Sequence, residues 1–221
     1  KWQAALILVY TAVGLMILEY YANTEFFNRQ FPALAQEHFG LYPQLWWAFW
    51  TIVIYVPIPM LIIYFVFREK PKDYGFFFRV KGKHLALYIG MYLVVLPFVI
   101  YASTRTDFQS VYPFYRGAYQ ASVAEFLTWE VSYLLQFVAL EFFFRGFLVI
   151  GLERYFGRLS VWVAVIPYGM IHFHKPVLEA AGAIIAGLVL GEVSRRTRSI
   201  LGGVIAHGGV ALTMDLLALN R

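Results

Sequence analysis

Apolar residues in this chain run in long blocks separated by short polar clusters, rather than alternating with polar positions. "WQAALILVYTAVGLMILEYY" forms the first block, and comparable blocks recur near 45–67, 85–103, 123–152, 159–173, 179–194 and 200–219. A helix needs about 20 apolar residues to cross the ~30 Å hydrocarbon layer of a bilayer. The pattern therefore predicts seven transmembrane helices, the first at 2–22. The fifth and sixth are short for spans and hold only if buried among the others or ending below the surface. The first block lacks a small-residue cleavage site behind a short apolar core, so it reads as a helix rather than a removed leader.

Two stretches between the blocks mix aromatic with polar side chains. Residues 23–44, "NTEFFNRQFPALAQEHFGLYPQ", and residues 104–122 predict segments lying at the membrane interface. Trp46, Trp47 and Trp50 open the second span as an aromatic belt would. Pro57 and Pro59 predict a kink in it, leaving backbone groups for neighbouring helices to satisfy. No repeat or linker divides the chain, so residues 1–221 are expected to form one all-α, polytopic membrane bundle.

Composition supports this reading. The chain is 61% hydrophobic and 14% charged, against roughly 45–50% and about 25% in soluble domains. With no cysteine, disulfides, thiolate metal sites and cysteine nucleophiles are excluded. A net charge of +5 would point to nucleic acid in a soluble protein; here its distribution reports topology. Lys1 and the loops carrying Arg68, Lys70, Lys72, Arg79, Lys81, Lys83, Arg154, Arg158, Arg195, Arg196 and Arg198 fall on one side of seven spans. Arg29, Arg105, Arg116, Lys175 and Arg221 fall on the other. That is 12 basic residues against 5, which predicts a cytoplasmic N-terminus; the expected location is a bacterial inner membrane. The expected partners are the lipid bilayer and a membrane-associated substrate, with no nucleic acid.

An ionisable group at membrane depth costs at least ~2.5 kcal/mol, so each needs a partner or a task. Four stand out: Glu141 and Arg145 in the fourth block, His172 in the fifth and His207 in the seventh. Counted from the basic ends of their helices, all four lie ~12–20 Å deep at ~1.5 Å per residue. Glu141 and Arg145 are one turn apart on one face. That pair alone is equally readable as a structural lock, and a lone histidine as a hydrogen-bonded core residue. Together, three helices can present a carboxylate, two imidazoles and a guanidinium to one cavity. Such groups can bind water, take its proton and stabilise an oxyanion. Gly202, Gly203, Gly208 and Gly209 around His207, and Gly187 and Gly191 in the sixth block, read as close helix packing.

"LEFFFRG", "YGMIH" and "TRSILGGVIAH" together resemble the CPBP family of intramembrane endopeptidases, which includes CAAX-processing and bacteriocin-processing proteases of the glutamic type. The resemblance covers about residues 122–219, in the family's order and spacing. It implies a protease core that hydrolyses peptides with an activated water and no serine or cysteine nucleophile. By position, Arg145 matches the motif arginine, Glu141 the second motif glutamate, His172 and His207 the two histidines, and Tyr168 the aromatic place before the first of them. The resemblance fails at two positions. Leu140 stands where the family's first glutamate is usually credited with activating water, and Ala211 stands in the asparagine-like place after the last histidine.

The expected mechanism has Glu141, helped by His172, deprotonating a water, with His207 stabilising the oxyanion and Arg145 keeping Glu141 a carboxylate. Glu130, Glu179 and Asp215 are alternative acids, and Glu130 and Glu179 also read as interfacial positions near span ends. No cofactor or metal is expected. The competing enzyme reading is a zinc site from both histidines and Glu141, but the helical H-E-x-x-H pattern is missing and Arg145 would repel a cation. Outside enzymes, a catalytically inactive binding protein, chaperone or transporter is the alternative, although no inverted repeat is found.

Overall fold

The computed structural model describes residues 1–76 and 82–219. Arg79, Lys81 and Arg221, counted above among the basic positions, lie outside them, as does the side chain of Lys83. Among the described residues the regular elements are all helical. In lipid, backbone N–H and C=O groups find no water, and a helix satisfies them within one segment.

α1 (Trp2–Tyr21) is followed by the short helices α2 (Thr24–Gln30) and α3 (Pro32–Gln36) and a 3₁₀ turn at Glu37–Gly40. This is the first predicted interfacial segment. The Asn23 side chain accepts from the Phe26 amide at 2.7 Å, capping one of the free N–H groups at the start of α2. The second span begins at Leu41, four residues earlier than predicted, and breaks where expected. α4 (Leu41–Tyr55) ends before Val56, whose dihedrals leave the helix (φ −122°, ψ −71°), and α5 (Pro57–Leu61) follows. The ring of Pro57 disfavours helical geometry in the residue before it. A π turn at Ile62–Val66 completes the span.

α6 (Gly82–Ser103) and α7 (Thr106–Val111) lead to a 3₁₀ turn at Arg116–Tyr119. α8 (Val123–Glu141) continues through a π-helical stretch, Phe142–Ile150, into α9 (Gly151–Phe156). Ser122 and Glu125 start α8 with reciprocal side-chain-to-backbone bonds, a capping box. α10 (Leu159–Met170), α11 (Val177–Thr197) and α12 (Leu201–Leu219) complete the bundle.

Among the described residues, six stretches are long and apolar enough to cross a membrane: Trp2–Tyr21, Pro32–Val66, His84–Ser103, Val123–Phe156, Val177–Thr197 and Leu201–Leu219. The chain is an integral membrane bundle by this measure. The predicted sixth span is longer than expected, because α11 runs 21 residues. The predicted fifth is shorter. α10 has 12 residues, ~18 Å of helix, and turns from Ile171 to Lys175 before α11 begins.

The fourth span is the axis of the bundle. In its most apolar window 72% of residues are buried by protein, against 11–44% in the other five spans. Phe142, Phe143, Phe144 and Phe147 are fully buried around it. Lipid tails are as apolar as these rings, so close fit rather than water exclusion holds the helices together.

The loops sort to two ends. At one, Arg154 pairs with Glu69 at 2.5 Å, and Arg195 and Arg198 reach Glu153 at 2.9 and 2.7 Å. The basic connections predicted to share a side therefore do meet. At the other, the Tyr115 hydroxyl donates to the His38 carbonyl at 2.7 Å and His38 Nδ1 lies 2.5 Å from Glu125, so the two predicted interfacial segments are joined.

Candidate active site

Glu141 stands at the junction where α8 widens into the π-helical stretch. Such widenings add a residue to the turn and recur at functional sites. Glu141 has no exposed surface. Its Oε1 accepts from His207 Nδ1 at 2.9 Å, across the packed faces of α8 and α12. Its Oε2 lies 3.2 Å from Arg145 Nε. That contact is ionic rather than a directed hydrogen bond, since Arg145 Nε, Arg145 Nη2 and Glu141 Oε2 lack partners of proper geometry.

Gly203, one turn before His207, lets α12 press onto the carboxylate. A Cβ there would fall 1.9 Å from Glu141 Oε2, so no other residue is accommodated without displacement. The face of His207 is set by Phe137, whose ring packs edge-on with centroids 4.8 Å apart.

Tyr168 of α10 joins the remaining groups. Its ring lies 4.1 Å from the Arg145 guanidinium carbon, a cation–π contact. The same ring is 4.8 Å from that of His172 and 6.1 Å from that of His207. His172 Nδ1 lies 2.8 Å from the Tyr168 carbonyl oxygen in the last turn of α10. Gly187 of α11 makes room for Tyr168, since a Cβ there would lie 2.9 Å from the tyrosine ring.

All four residues expected from the sequence thus belong to one neighbourhood, in an order the sequence did not convey. The imidazole bonded to Glu141 is His207, whereas His172 reaches the group through Tyr168. Leu140 packs partly buried against the main apolar cluster, and Ala211 is buried with Trp129 and Tyr133. Sequence reasoning passed over the linking role of Tyr168 and the contact at Gly203. Each lies four residues before a singled-out histidine, and that helical spacing was the available signal.

The alternative acids gather elsewhere. Asp215 Oδ2 accepts from Trp129 Nε1 at 3.2 Å, and Glu130, whose carboxyl oxygens make no hydrogen bond, interacts electrostatically with Asp215. Glu179 Oε1 accepts from the Tyr112 hydroxyl at 2.8 Å. Lys175 Nζ donates to the same hydroxyl at 2.9 Å, lies 3.6 Å from Glu179 and sits 3.9 Å from the Phe114 ring centroid. Burial pulls the Lys175 ammonium below the ordinary lysine range, with Glu179 opposing the shift. Asp215 is two turns beyond His207, ~12 Å along α12, so this is a second cluster. Among the described residues no three His, Asp or Glu side chains are grouped as metal ligands would be.

Residues 115–213, a little under half of the chain, match the family model described as type II CAAX prenyl endopeptidase Rce1-like. The family resemblance holds. The Rce1-like region contains Glu141, Arg145, Tyr168, His172 and His207, together with Glu130 and Glu179, whereas Asp215 lies just past its end. By kind, the match points to a membrane-embedded endopeptidase. No curated protein and no solved structure matches the chain.

Proposed function

We propose that this protein is an intramembrane endopeptidase that hydrolyses a peptide bond of a membrane-associated protein or peptide, using a water activated by carboxylate and imidazole groups. The catalytic set is Glu141, Arg145, His172 and His207, within one membrane domain whose protease core spans about 122–219. The observation that carries this reading is the 2.9 Å bond from His207 Nδ1 to the fully buried Glu141, with Arg145 3.2 Å away. Lipid-embedded charge of this kind is costly, and here it is assembled from helices 66 residues apart in sequence. The family match names the substrate class to try first, a prenylated Cys-aliphatic-aliphatic-X tail. Supported by the 12-to-5 asymmetry of basic residues, the N-terminus is cytoplasmic.

A reconstituted full chain should cleave an internally quenched, farnesylated CAAX peptide, and mass spectrometry should find the product lacking its last three residues. Glu141→Ala should abolish cleavage while the farnesylated peptide still binds. Cleavage surviving in that variant would defeat the reading. Inhibition by a chelator, reversed by zinc, would favour the metal version.

The second reading, a catalytically inactive binding protein or transporter of the same fold, is favoured by one observation. Leu140 occupies the first motif-glutamate position and packs with apolar neighbours. Peptide binding or transport with no cleaved product from the wild type would support it.

A further inference from the structure

Resting on the peptidase reading, we propose that His207, rather than Glu141, takes the proton from the attacking water, and that Glu141 is a positioning residue for it. Of the carboxylate oxygens of Glu141, Oε1 is committed to a hydrogen bond, and Oε2, which makes none, is shut in. Oε1 accepts from His207 Nδ1 at 2.9 Å. Oε2 faces Arg145 Nε at 3.2 Å and lies so close to Gly203 that a Cβ there would sit 1.9 Å away. With no exposed surface, Glu141 has no side open to a water. His207 keeps 16% of its side chain exposed.

The hydrogen-bond chemistry then sets both imidazoles. A carboxylate only accepts, so the hydrogen of neutral His207 is on Nδ1 and Nε2 carries a free lone pair. A backbone carbonyl also only accepts, so His172, 2.8 Å from the Tyr168 oxygen, has the same tautomer. Two bare Nε2 atoms thus stand on rings that flank Tyr168 at 4.8 and 6.1 Å. Water gives one proton to His207 Nε2 as its oxygen bonds to the scissile carbonyl carbon. The C–N bond then breaks and the imidazolium returns its proton to the leaving nitrogen. One acid and one amine form, and the protein ends unchanged. Glu141 stabilises the imidazolium while it exists, as a carboxylate behind a histidine base does.

The test uses the full chain in lipid nanodiscs, with ¹⁵N-histidine spectra and the farnesylated CAAX probe peptide. His207, assigned by the signal lost in His207→Gln, should show a protonated Nδ1 and a bare Nε2 in the wild type. Glu141→Gln should lower kcat about a hundred- to ten-thousand-fold with KM within about threefold. His207→Ala should lose comparable activity and regain part of it with added imidazoles, faster for more basic ones. A wild-type His207 protonated on Nε2 would overturn the inference even if every variant misfolds. So would His207→Gln within about tenfold of wild-type kcat, or Glu141→Ala restored by formate while His207→Ala ignores imidazole. Those last two results leave the peptidase reading standing. A wild type that cleaves no peptide removes that reading and the base together.

Discussion

Two groups of ionisable side chains are held inside this bundle, and they differ in kind. Around Glu141, one carboxylate meets a guanidinium and the His207 imidazole, with His172 joined through Tyr168. In the second, the Lys175 ammonium pairs with Glu179 beneath aromatic rings, and Asp215 bonds to Trp129 beside Glu130. The second group is richer in acids, so a search for a water-activating carboxylate alone would choose it. Imidazole is the side chain that gains and loses a proton near neutral pH, and both membrane-depth histidines belong to the first group. The Lys175 group has the form of a staple. It ties the turn after α10 and the start of α11 to Tyr112, and Asp215 of α12 to Trp129 of α8.

If the comparison is right, substitutions should divide into those that remove cleavage and those that remove stability. Glu141→Ala should have the largest effect, cutting kcat by about a thousand-fold or more in steady-state assays, with the folded fraction checked by size exclusion. Lys175→Met should follow. It leaves Glu179 without its cation, which should cost about 3–5 kcal/mol in reversible unfolding, while cleavage per folded molecule stays within a few-fold. Adding Glu179→Gln should return part of that loss; a double variant no more stable than the single one would deny the staple.

Gly203→Ala should act on both quantities. The new methyl must displace the Glu141 carboxylate, costing about 1–3 kcal/mol, and kcat should fall further than stability explains. Unchanged kcat in a folded Gly203→Ala protein would mean that the α12–carboxylate contact is dispensable. Tyr168→Leu should be mildest. Losing the ring under Arg145 removes about 0.5–2 kcal/mol, and retention of activity by Tyr168→Phe would separate stacking from the hydroxyl.

The fold was largely legible in the chain. Apolar runs of about 20 residues have few stable states in lipid other than a spanning helix, so α1, α6 and α12 lie where the pattern put them. The break before Pro57 was legible for an equally local reason. α10 was misjudged because apolar residues continue to Phe173, past the helix end at Met170. Hydropathy does not register a turn made of apolar residues. For the site, the four residue identities could be read from the sequence, since an ionisable group in a span is conspicuous. The role of Lys175 could not be. It looks like a loop cation, and its hydroxyl partner Tyr112 is 63 residues away.

By itself, then, the sequence determined that the chain is built of long apolar helices, which end of the bundle is basic and which polar side chains lie at membrane depth, because these follow from length, composition and rise per residue. Tertiary structure alone decided that His207 and not His172 bonds to Glu141, and that Glu179 pairs with Lys175 while Asp215 bonds to Trp129. Those outcomes depend on how α8, α10 and α12 are rotated about their own axes. That rotation is set by contacts such as Gly203 on Glu141 and Arg145 on Tyr168, each of which joins residues of different helices.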